Sequence, residues 1–110
     1  YPGVPVIGFP RGAGVALIDY AARTGVQGIG LDSAVPAAWA RQTIQSQCTV
    51  QGNLDPLMLV AGGTAMTNEV RRIVTAFKDG PFVFNLGHGI LPHTPPDHVA
   101  DLVAAVRSDG

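Results

Sequence analysis

Short apolar runs alternate with helically spaced apolar positions along the chain, and turn residues separate them. Val4-Pro5-Val6-Ile7-Gly8-Phe9 is the first run, ended by Pro10-Arg11-Gly12. Helical spacing follows at Val15, Ile18 and Ala22, with Gly25 placed to close that helix in a left-handed conformation. Val26 to Leu31 reads as a second strand stopping at Asp32-Ser33, and Pro36 then opens a helix through Trp39 and Ile44. Cys48-Thr49-Val50-Gln51-Gly52 is the third strand, running into a turn at Asn53-Leu54-Asp55-Pro56. A short helical turn is predicted over Leu57 to Ala61, broken by Gly62-Gly63-Thr64. Met66, Val70, Ile73, Val74 and Phe77 fall at i, i+4, i+7, i+8 and i+11, so the next helix presents one continuous apolar face. Gly80-Pro81 ends it, and Phe82 to Leu86 is the fourth strand. Thr94 and Asp97 have capping-box spacing around Pro95-Pro96, and Val99, Leu102, Val103 and Val106 give the last amphipathic face.

Alternating strands and helices predict an α/β fold with a parallel sheet, because parallel neighbours need a crossover between them. The strands are apolar nearly throughout, as expected when both faces are covered. A TIM (βα)8 barrel uses roughly 250 residues, or about 31 per unit. The chain's 110 residues therefore supply about four units, half of such a barrel, with no internal domain boundary. A self-contained doubly wound sheet is the alternative. It would carry a phosphate-binding glycine fingerprint after the first strand, which Phe9-Pro10-Arg11-Gly12-Ala13-Gly14 lacks.

Composition narrows the class. Hydrophobic residues at 46% and charged residues at 14% mark a globular chain. The formal net charge is -1 with no basic block, so nothing points to a nucleic acid or an anionic membrane as partner. No apolar run approaches the roughly 20 residues that span a bilayer. Tyr1-Pro2-Gly3 is neither an initiator Met nor a signal peptide, and reads as a chain entered partway through. Cys48 is the single cysteine. It has no partner for an internal disulfide and no second thiol for a zinc cluster, and it reads as a packed residue in a reducing cytoplasm.

Each strand ends in a polar or glycine-rich stretch, and in a barrel all four stretches lie at the C-terminal mouth, where catalytic groups are placed. His88 follows an apolar strand between Gly87 and Gly89. Its flanking glycines permit backbone angles closed to other residues and the close approach of a large ligand. The imidazole either serves chemistry near neutral pH or bonds a nearby loop carbonyl. Asp32 and Asp55 either orient His88 or bind a substrate NH, or they act locally. In the local reading Asp32 or Ser33 caps the next helix, and Asn53 and Asp55 hold a turn before Pro56. Arg11 is a bidentate carboxylate clamp or a solvated loop residue. His93 and His98 are read as surface residues, and Trp39 as packing.

Val50-Gln51-Gly52-Asn53-Leu54-Asp55-Pro56 and Phe84-Asn85-Leu86-Gly87-His88-Gly89-Ile90, followed by Thr94-Pro95-Pro96, resemble the C-terminal region of the uroporphyrinogen decarboxylases. Val6-Ile7-Gly8-Phe9 and Gly30-Leu31-Asp32 fit the same register, so the resemblance covers essentially the whole chain. It implies a (βα)8 barrel, usually a homodimer, with a deep cleft at the strand C-termini. It also implies conversion of uroporphyrinogen III to coproporphyrinogen III in tetrapyrrole biosynthesis by four acetate decarboxylations, with no metal or organic cofactor. His88 matches the cleft histidine of the family's Gly-His-Gly motif. Arg11, Asp32, Asn53, Asp55, Asn85 and Gly87 are the further candidates for substrate binding. Three other functions stay open: a non-catalytic half-barrel module for assembly or tetrapyrrole binding, a zinc-dependent methyltransferase of the same superfamily, and a generic anion-binding α/β domain. The methyltransferase would need Cys and His ligands beyond the lone Cys48.

Overall fold

A computed structural model describes residues 3–108; Tyr1 and Pro2, on which the reading of the chain start rests, lie outside them. Four strands form one sheet in the order β1-β2-β3-β4: β1 (Ile7–Gly8), β2 (Gly28–Gly30), β3 (Thr49–Leu54) and β4 (Phe82–Leu86). All three pairings are parallel, with Ile7 opposite Gly28, Gly30 opposite Gln51 and Asn53 opposite Asn85. The helices are α1 (Leu17–Thr24), preceded by a 3-10 turn over Gly14–Ala16, α2 (Ala37–Thr43), α3 (Pro56–Ala61), α4 (Gly63–Phe77) and α5 (Pro96–Ser108).

Strand order equal to chain order decides between the two predicted architectures. Crossovers between parallel strands share one hand, so an order that never reverses puts every helix on the same face. A doubly wound sheet needs a reversal. The chain is therefore about half of a TIM barrel, unclosed, with free edges at β1 and β4 among the described residues.

Side chains alternate across the sheet. Ile29, Val50 and Leu54 face the helices and are fully buried, in one core with Leu17, Met66, Val70, Ile73 and Phe77. Each such side chain contributes about 1.5–3 kcal/mol of burial. Phe77 stacks on Phe82 with ring centroids 4.9 Å apart, which seats α4 on β4. The inner face carries Ile7, Phe9 and Val83, which are 52%, 48% and 46% exposed. Gly28 and Gly30 leave β2 bare on this side, and Ile7 and Phe9 lean over them: a Cβ on Gly30 would meet the Phe9 ring at 2.9 Å.

Several predicted elements shift. The helix after β1 buries Leu17 and Ala21, not Val15, Ile18 and Ala22; Val15 is 78% exposed. The 3-10 turn resets the helical phase, and Tyr20 packs against the bare Gly8. Gly25 does close α1, with φ 65. The third strand runs two residues past Gly52, so Asn53 and Leu54 belong to β3 and not to a turn. The capping box at Thr94 does not form. With α5 beginning at Pro96, Thr94 lies too far ahead of it, and its hydroxyl donates to the Leu91 carbonyl at 2.8 Å. On α5 only Leu102 is buried: Val103 and Val106 line the hollow beside the β4 edge, and Val99 is exposed.

Gln45, a buried polar residue, fastens the far end of α4. Its Nε2 donates to the carbonyls of Phe77 and Pro81 at 2.9 and 3.3 Å. Gln45→Ala removes both bonds and leaves the two carbonyls with one backbone amide each, from Gly80 and from Val50. It is expected to cost about 1–3 kcal/mol in urea unfolding, with kcat of the intact protein unchanged.

Candidate active site

The strand tips surround a cleft of about 570 Å³. Its polar lining comes from four residues: Arg11 after β1, Gln51 on the inner face of β3, Asn85 on the inner face of β4, and His88 just beyond it. Phe9, Leu31, Leu86 and Ile90 supply the apolar walls. The lining holds one formal cation, two amides and an imidazole, and no carboxylate. Arg11 and His88 are both exposed to the cleft. Asn85 Oδ1 accepts the Leu86 amide at 2.8 Å, which fixes its rotamer at the rim.

The other candidates stand outside this lining. Asp32 accepts two backbone amides, from Gly12 at 2.7 Å on Oδ2 and from Ala34 at 3.0 Å on Oδ1. Both carboxylate oxygens are thus engaged in tying the loop that carries Arg11 to the end of β2. It does not cap α2, whose N-cap position is Pro36. Asn53 is buried, and its Nδ2 donates to the carbonyls of Asp32 and Val35 at 3.0 and 2.8 Å. It therefore braces the loop between β2 and α2 from beneath. Asp55 caps α3, its Oδ1 accepting the Leu57 amide at 2.9 Å ahead of Pro56.

Gly87 and Gly89 differ from each other. Neither has a positive φ, so the angles that only glycine tolerates are not why they flank His88. Gly87 is buried against the backbone and hydroxyl of Ser33, and its amide donates to the Leu54 carbonyl at 2.7 Å. A Cβ on Gly89 would meet nothing within 4 Å. The close approach at Gly87 is to the protein's own loop.

Gln51 was not among the sequence candidates. The signal was present in the two-residue alternation of β3, where Gln51 is a polar residue at an inner-face position. His98, read as a surface residue, is half-buried with Nδ1 2.8 Å from the Leu59 carbonyl oxygen. Cys48 is half-buried just before β3, and burial pushes its thiol pKa up. Among the described residues, no group of three or more His, Cys, Asp or Glu is placed to hold a metal ion. None of their helices is long and apolar enough to cross a membrane.

A family model described as uroporphyrinogen decarboxylase (URO-D) matches residues 1–108. The chain belongs to the uroporphyrinogen decarboxylase family. Curated relatives bearing that name include proteins from Rhodospirillum rubrum, 58% identical over 107 residues, Sphingopyxis alaskensis, 55% over 107, and Granulibacter bethesdensis, 53% over 108. Each alignment takes in at least 97% of this chain but only 31 or 32% of the relative. The chain thus spans about a third of the length of the uroporphyrinogen decarboxylases it matches. Four βα units in a third of that length leave the rest of such a protein to close the barrel.

Proposed function

We propose that the chain is the C-terminal part of a uroporphyrinogen decarboxylase, lying in one barrel domain without an internal boundary. The whole protein converts uroporphyrinogen III to coproporphyrinogen III in tetrapyrrole biosynthesis. It acts as a cofactor-independent carboxy-lyase and a cytoplasmic homodimer, with a porphyrinogen as its partner and no role for nucleic acid or membrane. The observation that carries this reading is the cleft at the strand tips, lined by Arg11, Gln51, Asn85 and His88 without a carboxylate. A substrate bearing many carboxylates needs such a lining, since unpaired like charges at close quarters are strongly unfavourable.

Each acetate arm undergoes the same exchange: a ring carbon is protonated, the bond to the carboxylate breaks with its electron pair flowing into the cationic ring as CO2 leaves, and the exocyclic methylene so formed takes up a proton while the ring carbon gives its own back, leaving a methyl group. In this reading Arg11 clamps a substrate carboxylate through two N–H donors. His88 donates to a second one at the rim, and Asn85 and Gln51 orient the arms. His88 is a binding group first. It stands on an exposed loop, where it reaches substituents of a large ligand more readily than the ring carbons. Asp32, Asn53, Asp55 and Gly87 serve the site by holding the loops in place.

The test is a chimera in which residues 1–108 replace the matching segment of the Rhodospirillum rubrum relative. It is expected to form coproporphyrinogen from uroporphyrinogen. In it His88→Ala is expected to raise KM about 10- to 100-fold, the loss of one hydrogen bond to a charged group, with a smaller change in kcat. A folded chimera without turnover, or a His88→Ala variant with unchanged KM, would overturn the assignment.

A further inference from the structure

We infer that His98 is a positioning residue for the cleft: by fastening the start of α5 to the end of α3 it fixes the rim loop that carries His88. The inference rests on the reading of the cleft given above.

The loop runs from Gly87 to Pro95, between β4 and α5. At its near end the Gly87 amide donates to the carbonyl of Leu54, the last residue of β3, at 2.7 Å. At its far end α5 begins, and His98 lies in the first turn with Nδ1 2.8 Å from the Leu59 carbonyl oxygen. A carbonyl only accepts, so Nδ1 carries the hydrogen and donates whether the ring is neutral or charged. Leu59 is in the last turn of α3, where carbonyls run out of partners within the helix. The imidazole supplies one from 39 residues away.

Gly62 completes the joint. It links α3 to α4 with φ +64, and an added Cβ would stand 2.6 Å from the His98 ring. The space a side chain would fill is taken by the imidazole. Both ends of the rim loop therefore hang on the β3–α3 unit, one on the Leu54 carbonyl and the other on the Leu59 carbonyl. That unit is itself held by the Asp55 cap. His88, Gly89 and Ile90 line the cleft from inside this closed staple. The half-buried setting keeps water from competing freely for the bond.

Opening the staple at His98 frees the loop's far end while leaving every cleft residue in the sequence. The test uses the chimera with the Rhodospirillum rubrum relative, comparing the parent with His98→Ala and His98→Asn. The Asn amide nitrogen stands where Nδ1 stands and donates to the same carbonyl. His98→Ala is expected to raise KM for uroporphyrinogen on the order of tenfold, with kcat within about twofold. It is also expected to speed hydrogen exchange at the Thr94 amide, which donates within the loop to Leu91 at 3.1 Å, and to leave Val70 and Ile73 of the α4 core unchanged. His98→Asn restores both readouts. An unchanged KM, an unchanged Thr94 exchange rate, equal acceleration at Val70 and Ile73, or no rescue by Asn would each overturn the inference. A parent chimera without turnover would instead overturn the decarboxylase reading, and the exchange rates would still decide whether the staple exists.

Discussion

The 110-residue segment, purified by itself, is expected to convert no uroporphyrinogen and to self-associate. Two physical features lead there. The inner face presents Ile7, Phe9 and Val83 about half exposed, where a closed barrel would fill the interior with side chains from the opposite strands. The strands β1 and β4 each have an edge without a neighbour among the described residues, and such edges template pairing with other chains. Beside β4 a hollow of about 270 Å³ lined by Phe84, Leu86, Leu102, Val103 and Val106 adds more uncovered apolar surface. The cleft is built from these same open strands, so a polycarboxylate would meet one wall of its site and bulk water on the other. Sedimentation velocity and a decarboxylation assay on the same sample check both halves of the expectation. A stable monomer with measurable turnover would contradict the half-barrel account.

Gly87→Ala in the intact protein is expected to be the most damaging single substitution at the rim. The new Cβ would lie 2.8 Å from Ser33 Cα and closer still to the Ser33 amide nitrogen and hydroxyl. Two of those three atoms are backbone, so no rotamer change relieves the overlap. The loop between β2 and α2 must move, and Asn53 and Asp32 already hold it from two sides. Overpacking of this kind costs about 1–3 kcal/mol. A functional loss accompanies it, because displacing His88 by about 1 Å costs on the order of 100-fold in kcat/KM. Gly89→Ala, on the other side of His88, meets open space and is expected to change stability by less than about 0.5 kcal/mol. Thermal or urea unfolding of the two variants, beside their kinetics, separates close approach from glycine's conformational freedom as the reason for the Gly-His-Gly pattern.

How much of this was legible in the sequence depended on how local each signal was. The α4 helix was the clearest, since Met66, Val70, Ile73 and Phe77 repeat at helical spacing and all four are buried. The parallel sheet followed from alternation of strands and helices, and strand order alone then separated half a barrel from a doubly wound sheet. The face of α1 was misread because a 3-10 turn ahead of it shifts the phase, something that residue spacing does not reveal. Asn53 looked like a turn residue because asparagine favours turns. In the fold it completes β3, and its amide is drawn inward by two carbonyls of a neighbouring loop.

The candidate site divides along the same line. His88 stood out because an imidazole between glycines after an apolar strand is a local pattern. Its convergence with Arg11 and Asn85 was predictable from topology, since parallel strands bring all their C-terminal ends to one side. The parts played by Asp32 and His98 were hidden. The first meets the Gly12 amide 20 residues away, and the second meets the Leu59 carbonyl 39 residues away. Backbone partners at that distance leave no trace in side-chain spacing.

The convergence of Arg11 and His88 on one carboxylate-binding cleft is tested most directly by a crystal structure of the intact protein with coproporphyrinogen bound. The expected result is a propionate within hydrogen-bonding distance of the Arg11 guanidinium, a second one at the His88 ring, and the macrocycle lying across the inner face of β3 and β4. A ligand seated elsewhere, with Arg11 and His88 both in solvent, would contradict it.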